Sequence, residues 1–334
     1  MSKIIELIHP YQLKGIKNIN DYLLVIKNIS RLIEKNGYRE KMDGILVPVR
    51  WSIEKSNWVL DRGTLLERDK KGLTLSEICE ASIANELKIA AKYVLSAFES
   101  NSRINALAES FGMKKNENRF LSFEHINFLT NRIRYTNTTA YPIGLFKMNR
   151  NKKSDIIDIS EKISKDISDS SDKFTFIKNC NIDKNYIFEN FFDSLNKKSV
   201  EIAVSDNLKS FKIKDIIKEN SFVFKDKVKI KGKKYCQNSV GLYQEILKNG
   251  CDENVFNKIK ANIFIMNLNE LYGNFIKSTI LELKNSEGIV VYDKSNNVLY
   301  KITGDFYYNT TSIISKQNIK ESNNNYKPYL PGVF

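Results

Sequence analysis

Residues 39–51, Arg-Glu-Lys-Met-Asp-Gly-Ile-Leu-Val-Pro-Val-Arg-Trp, combine a lysine, an Asp-Gly pair and a β-prone apolar run. An Asp-Gly pair favours a tight turn, because glycine adopts backbone conformations that other residues avoid. A lysine just before such a turn and strand, here Lys41, can project its amine into a cleft. A solvated lysine in an ordinary β-turn is the alternative interpretation of the same residues.

The flanking sequence predicts a mixture of helices and strands. Apolar residues recur at helical spacing in two segments, and the first of these ends at Asn36-Gly37, a helix stop signal. Short runs of branched and aromatic residues separated by polar turns predict strands. The predicted elements are a helix at 19–35, a hairpin at 44–61 with its turn at 53–56, a helix at 75–98, and β-rich stretches at 120–146 and 288–308.

The middle of the chain differs in composition from both ends. From about residue 149 to residue 260 the sequence is rich in Lys, Asp, Ser and Asn with scattered Phe, Ile and Val. We therefore expect residues 1–148 and 261–310 to form one domain and residues 149–260 to form an inserted lobe. The basic, aromatic-containing composition makes this lobe a candidate for RNA binding. Residues 311–334 are expected to be a C-terminal tail.

Composition narrows the possible partners and the compartment. The 334 residues include 53 Lys and Arg against 39 Asp and Glu, a net charge of +14 that attracts polyanions such as nucleic acid. A general excess of Lys, Asn and Ile would give the same charge, so charge alone does not identify the partner. Four separated cysteines and two histidines indicate neither a zinc site nor a disulfide framework. The sequence shows neither a signal peptide nor an apolar membrane span, so we expect a cytoplasmic protein that avoids membranes, in the host cytoplasm if it is viral. We also expect a monomer.

Further polar motifs follow Lys41 in a defined order. They are Asp61-Arg62-Gly63-Thr64, Phe123-Glu124, Glu287-Gly-Ile-Val-Val-Tyr292 and Tyr300-Lys-Ile-Thr-Gly-Asp-Phe-Tyr307. This order resembles the superfamily of ATP-dependent polynucleotide ligases and mRNA capping enzymes, over the region from about Tyr38 to Tyr307 outside the insertion. Within it, Arg39-Glu40-Lys41 and the final motif are most similar to phage and viral RNA ligases. Each motif taken alone has an ordinary interpretation as a turn or strand end, so their joint order carries the resemblance.

The resemblance implies an α+β fold, a nucleotidyltransferase domain similar to ATP-grasp ligases, with antiparallel sheets flanked by helices and an inserted lobe. It also implies ATP as cosubstrate, Mg²⁺ or Mn²⁺ as cofactor, and a covalent lysyl-AMP intermediate on Lys41. Glu287 is then the metal-binding candidate, since hard cations prefer carboxylate oxygens. The implied nucleotide-binding residues are Glu40, Arg62, Glu124, Phe146 and Lys301, with Glu124 on the ribose, Arg62 on the sugar or phosphate, and Phe146 or Tyr141 stacked on adenine.

The chemistry sets a requirement on the charges around Lys41. An amine attacks phosphorus only when it is unprotonated, and free lysine has a pKa of about 10.4. Converging positive charge from Arg62, Lys301 and a metal ion would lower that pKa and stabilise the departing pyrophosphate. One departure from the resembled pattern is Thr303, which stands where the RNA ligases have a second lysine.

Several activities share this motif set. The sequence has 334 residues, so 27 follow Tyr307, too few for the OB-fold domain that DNA ligases and capping enzymes carry at that place. We therefore expect an RNA ligase that seals 5′-phosphate and 3′-hydroxyl ends, with RNA and possibly DNA as partner. The alternatives are an RNA-end adenylyl- or guanylyltransferase, a DNA ligase, and a nucleic-acid-binding protein on an inactive ligase scaffold.

Overall fold

The chain folds into helices and two mainly antiparallel sheets, which confirms the predicted α+β class. The computed structural model describes residues 7–13, 16, 18–62, 72–127, 137–148, 154–182, 185–195, 265, 268–279 and 287–304. Its strands are β1 (Leu7–Ile8), β2 (Tyr38–Lys41), β3 (Ile45–Ser52), β4 (Asn57–Leu60), β5 (Arg119–Ile126), β6 (Thr139–Met148), β7 (Ser154–Asp158), β8 (Asn179–Cys180), β9 (Gly288–Asp293) and β10 (Val298–Thr303). Its α-helices are α1 (Ile19–Asn36), α2 (Leu75–Ile78), α3 (Asn85–Ser100), α4 (Ser102–Ser110), α5 (Glu161–Ser168) and α6 (Ile187–Ser194), and residues 268–279 are also helical.

The contacts between residues divide the chain into two compact units. Of the described residues, Leu7 and those within Gly37–Asn181 and Glu282–Lys301 form the first unit. Those within Ile8–Asn36, Ile182–Leu281 and Ile302–Phe334 form the second. This division differs from the predicted domains, because β7, α5 and β8 lie in the first unit although their sequence falls in the predicted insertion. Residues 196–264, most of that insertion, lie outside the described residues.

The helix-packed sheet has the strand order β4-β3-β5-β6-β7. One face of this sheet packs against α3 and its neighbours to form the main apolar core. The predicted hairpin is confirmed, with Val49 opposite Leu60 and the turn at residues 53–56. The side chains of Val47, Leu121 and Phe123 point into this core, so the alternate residues of β3 and β5 point to the other face.

The second sheet has the order β1-β10-β9-β2-β8. An apolar cluster joins it to the free face of the helix-packed sheet, with Leu299 and Val290 meeting Phe120 and Met148. Strand β2 is antiparallel to β9, and Lys41 lies opposite Gly288. The sequence positions of β2 and β9 are far apart, and this pairing brings the Lys41 motif next to the Glu287 motif.

Two predicted helices meet different outcomes. The helix predicted at residues 19–35 is confirmed as α1. The single helix predicted at 75–98 is instead divided into α2 and α3, with turn residues between them. A capping box between Thr74 and Glu77 starts α2, and Ile83 in the intervening segment packs against the main core. The predicted helix is thus interrupted where Ile83 packs against the core. Hydrophobic periodicity alone does not reveal this interruption.

The second unit is built around buried aromatic residues. Tyr22 of α1 donates a hydrogen bond to Asn269, and Ser30 is hydrogen-bonded to Tyr272. Phe191 of α6 packs edge-on against Tyr272. These hydrogen bonds give each buried hydroxyl group a partner, and a hydroxyl group buried without a partner would destabilise the fold.

Candidate active site

Lys41 and Glu287 form an ion pair where β2 meets β9. The Lys41 Nζ lies 2.6 Å from Glu287 Oε2 and donates a second hydrogen bond to the Met42 carbonyl at 2.9 Å. The side chain of Lys41 is 11% exposed and that of Glu287 is 33% exposed. Glu287 directly precedes β9, and Lys41 ends β2 opposite Gly288, so the antiparallel register itself creates this contact.

Glu124 joins the cluster through the turn at Gly44. The Gly44 N–H donates to Glu124 Oε1 at 3.2 Å. A Cβ on Gly44 would lie 2.7 Å from Glu124 Cγ and 2.7 Å from the His125 carbonyl oxygen, which is closer than real Cβ contacts come. Glycine is therefore needed after Asp43 because only its backbone fits against β5.

The protein's own charges favour the ammonium form of Lys41. Burial by itself lowers the pKa of Lys41, but the negative charges of Glu124 and Glu287 outweigh burial and raise it. The hydrogen bond to Glu287 and the charge of Asp43 act in the same direction. The positive surroundings expected for Lys41 are thus not provided by these neighbours, which are carboxylates.

Burial also acts on Glu124. It raises the pKa of this carboxyl, while the charge of Lys41 and the Gly44 N–H hydrogen bond oppose the rise. Glu124 and Lys41 therefore influence each other's protonation. A half-buried acid beside a half-buried amine is an arrangement that concentrates at functional sites, although structural ion pairs show it as well.

Arg39, which sequence analysis did not select as a site residue, anchors the strand that carries Lys41. Its guanidinium donates to the Ile143 carbonyl at 2.9 Å, to Asn179 Oδ1 at 2.6 Å and to the Ile159 carbonyl. These acceptors belong to β6, β8 and the segment after β7, so Arg39 ties β2 to both sheets. Burial lowers its pKa to about 10. Its position two residues before Lys41, on the same face of β2, is the signal from which this role could have been found.

Tyr141 and Glu40 lie close together at the edge of the cluster. Tyr141 is the cross-strand partner of Glu124, and it is half-buried. Burial raises the pKa of the Tyr141 hydroxyl, and the negative charge of Glu40 raises it further. An aromatic ring with part of its surface exposed is therefore present beside Glu124.

Phe146, the other aromatic candidate, lies in the apolar cluster between the sheets. It is 1% exposed and packs with Phe120, Met148 and Leu299. A ring that is covered on this scale has no free face to offer to a base. Of the two aromatic candidates, Tyr141 alone retains exposed surface.

Arg62 directly follows the hairpin strand β4 and the buried Asp61. It is exposed and is the last described residue before residue 72. The preceding residue, Asp61, is fully buried and accepts a hydrogen bond of 2.8 Å from the buried Arg50. The Asp61-Arg62 motif thus contributes a structural ion pair through its first residue.

Lys301 shares the face of the second sheet on which Lys41 lies. Leu299 points into the cluster between the sheets, so Lys301, two residues further along β10, points to the same side. Strand β9 lies between β10 and β2, so Lys301 and Lys41 are on strands separated by one strand. Thr303 is 6% exposed at the end of β10.

The donor set around Lys41 fits a divalent cation in part. Glu287 and Glu124 supply carboxylate oxygens, the ligands that Mg²⁺ and Mn²⁺ prefer. Among the described residues no group of three or more His, Cys, Asp or Glu side chains could hold a metal ion. An ion here would therefore complete its coordination with phosphate oxygens and water, as is usual for Mg²⁺ at nucleotide sites.

Comparisons with known proteins identify no family for this chain. Within the described part of the chain, no helix has both the length and the apolar character to cross a membrane. No protein-family model matches the sequence, and no curated protein matches it.

Proposed function

We propose that this protein is an ATP-dependent RNA ligase in which Lys41 accepts AMP from ATP. The observation that carries the proposal is the placement of Lys41 between two carboxylates, at 2.6 Å from Glu287 and within electrostatic reach of Glu124. The order of motifs along the chain, similar to that of RNA ligases, supports the same assignment. A solvated lysine in an ordinary turn would not need these two neighbouring carboxylates.

The first step transfers AMP to the protein. The Lys41 amine attacks the α-phosphorus of ATP, a nitrogen–phosphorus bond forms, the bond to the β-phosphate oxygen breaks, and pyrophosphate leaves. The ammonium must lose a proton before the attack, and the Glu287 carboxylate at 2.6 Å is positioned to accept it. Glu124 and Tyr141 would hold the nucleoside, with the ribose at the carboxylate and the base against the ring.

The acidic surroundings of Lys41 suit a reaction that uses a divalent cation. Glu287 would hold Mg²⁺ or Mn²⁺, and the positive charge of the ion would offset the carboxylates and favour the neutral amine. The proposal assigns to Lys301, on the same sheet face, a contact to a phosphate of the substrate. Arg39 keeps β2 in register, so that the amine stays at a fixed position.

Two further transfers complete the sealing of an RNA strand. A 5′-phosphate oxygen attacks the AMP phosphorus, the bond to Lys41 Nζ breaks, and the lysine regains its proton. The RNA 3′-hydroxyl then attacks the activated 5′-phosphorus, a phosphodiester bond forms, and AMP leaves with the electron pair of the broken bond. The hydroxyl loses its proton in this step, and a carboxylate such as Glu124 is a suitable acceptor.

The experiment is a sealing assay with purified protein. RNA carrying a labelled 5′-phosphate and a free 3′-hydroxyl is incubated with ATP and Mg²⁺, and the products are separated by size. Joined or circular RNA is expected for the wild-type protein and for Lys294→Ala, a control at an exposed lysine in the β9–β10 turn. Lys41→Ala should form no product although it remains folded at the assay temperature, which a thermal melt checks.

Parallel reactions separate the remaining activities. GTP replaces ATP in one arm, and DNA replaces RNA in another. RNA that gains AMP or GMP at its end without joining would indicate an end-modifying transferase, and joining of DNA alone would indicate a DNA ligase. Binding of RNA without any covalent product, with wild type and Lys41→Ala equal, would contradict catalysis on this scaffold.

A further inference from the structure

A cavity lies on the face of the helix-packed sheet opposite the Lys41 cluster. Its volume is about 940 Å³, within the range that small-molecule sites usually show. Tyr93, Ser96 and Ile89 line it from one stripe of α3, and His125 of β5 and Lys173 complete its wall. Because His125 alternates with Glu124 along β5, this cavity and the candidate active site lie on different faces of the sheet.

Lys173 gives the cavity a positive charge without an acidic partner. Its Nζ donates to Ser96 Oγ and lies 5.5 Å from the centroid of the Tyr93 ring. In the described portion of the chain, no carboxylate forms an ion pair with this half-buried ammonium. The lining residues also include Lys92 and one carboxylate, Glu99, and the charge of Asp172, next to Lys173 in the sequence, acts on Tyr93.

His125 adds a second polar group that lacks a partner. Its side chain is 1% exposed, and its Nε2 has no hydrogen-bond partner among the described residues. Its ring packs against Tyr93 at a centroid distance of 4.9 Å. Burial lowers the pKa of His125 to about 4, so the imidazole is neutral near pH 7. The ring of His125 therefore contributes an uncharged surface to the cavity wall beside the Tyr93 ring.

The other walls of the cavity are largely apolar. Leu75, Ile89 and the Tyr93 ring offer hydrocarbon and aromatic surface, and Ile89 is half exposed. A ligand that matches both features has a flat apolar body and one acidic group. An inorganic anion would leave the apolar wall uncovered, and a neutral hydrocarbon would leave Lys173 without a counter-charge.

We propose that this cavity binds a small aromatic anion, a carboxylate or a phosphate monoester, with its acidic group at Lys173 and its ring against Tyr93 and Ile89. The site goes beyond the proposed ligase activity and does not depend on Lys41. Lys41→Ala should therefore bind the same compounds as wild type.

Two probes distinguish the two acidic groups, benzoate and phenyl phosphate, and benzyl alcohol serves as the neutral control. Binding is measured by saturation-transfer NMR titration of the full chain at pH 7.5. At least one of the two anions should bind saturably, while benzyl alcohol should bind at least about tenfold more weakly. Lys173→Met should weaken anion binding about tenfold or more, and Lys178→Met, at an exposed lysine outside the cavity, should not.

Alkylation of Cys79 locates the bound probe. This exposed cysteine lines the cavity, and the half-buried Cys180 serves as an internal reference. Peptide mass spectrometry after limited treatment with N-ethylmaleimide should show protection of Cys79 alone in the presence of the anion. Absence of saturable binding by both anions, equal binding by Lys173→Met, or unprotected Cys79 despite binding would each overturn the proposal.

Discussion

Because Lys41 and Glu287 form an ion pair, the effects of substituting them on the free energy of unfolding should not be additive. The variants are Lys41→Met, Glu287→Gln and the double substitution, which remove the charges while approximately conserving size. Hydrogen bonds to charged groups contribute about 1.5–3 kcal/mol, and fully exposed pairs contribute about 0.2–1 kcal/mol. With Lys41 at 11% exposure, Glu287 at 33% and a separation of 2.6 Å, we expect a coupling energy of about 1–2 kcal/mol.

Urea unfolding at pH 7.5 of the four proteins measures this coupling as a double-mutant cycle. Each single variant should lose stability, and the double variant should lose less than the sum of the two. A coupling energy below about 0.3 kcal/mol, the usual scatter for independent sites, would refute the pair.

The pH dependence of the coupling has a defined sign. Carboxylates raise the pKa of Lys41 in the folded protein, so the stability from this lysine is fully present below its unfolded pKa of 10.5. That stability is lost only as the pH rises through the raised folded value. The coupling energy should therefore be equal at pH 7 and pH 9, and a fall between these values would show that the pKa is not raised.

Four further substitutions, used in three experiments, test separate parts of the structure. Gly44→Ala should lower the free energy of unfolding by about 1–3 kcal/mol, because its Cβ would lie 2.7 Å from Glu124 Cγ, and an unchanged thermal midpoint would count against the close approach. As the pH falls from 6.5 toward 4, His125 is protonated in the unfolded chain but stays neutral in the folded protein. The free energy of unfolding should therefore fall by up to about 3 kcal/mol over this range, and His125→Leu should make it less dependent on pH. Tyr141→Leu should weaken ATP binding about fivefold or more in calorimetry while Phe146→Leu lowers only stability, and the opposite pattern would assign the stacking ring to Phe146.

Local patterns were sufficient to predict the elements around Lys41. The hairpin from β3 to β4 and helix α1 follow from turn residues and from hydrophobic periodicity. The Asp-Gly pair also predicted that a turn and a strand would follow Lys41, and β3 begins at Ile45. That Gly44 packs against Glu124 depends on a pairing between β3 and β5, which no local pattern contains.

The position of Phe146 shows how a single irregularity defeats periodicity. Strict alternation along β6 would put residues 143 and 145 on one face and residue 146 on the other. The pairing with β5 shifts between Gly144 and Pro142, so Ile143 is an extra residue in β6, and Ile143 and Phe146 consequently share the apolar cluster between the sheets. A β-bulge adds one residue to a strand, and its place is rarely visible in sequence.

Charges around Lys41 could be predicted only in part. The motifs suggested Glu124 and Glu287, and the carboxylates of both residues act on Lys41 in the structure. The expected positive field on the lysine depends on which side chains converge in space, and Arg62 is exposed to solvent. The anchoring of β2 by Arg39 likewise depends on acceptors more than 100 positions away, at Ile143 and Ile159.

Mapping of a covalent AMP group tests the central claim most directly. Purified protein is incubated with ATP and Mg²⁺, digested, and analysed by peptide mass spectrometry under conditions that preserve a phosphoramidate bond. The account predicts AMP on the peptide containing Lys41, and none on that peptide in Lys41→Arg, because arginine keeps its charge but stays protonated. AMP on another residue, or no adduct on wild-type protein under conditions in which it stays folded, would contradict Lys41 as the nucleophile.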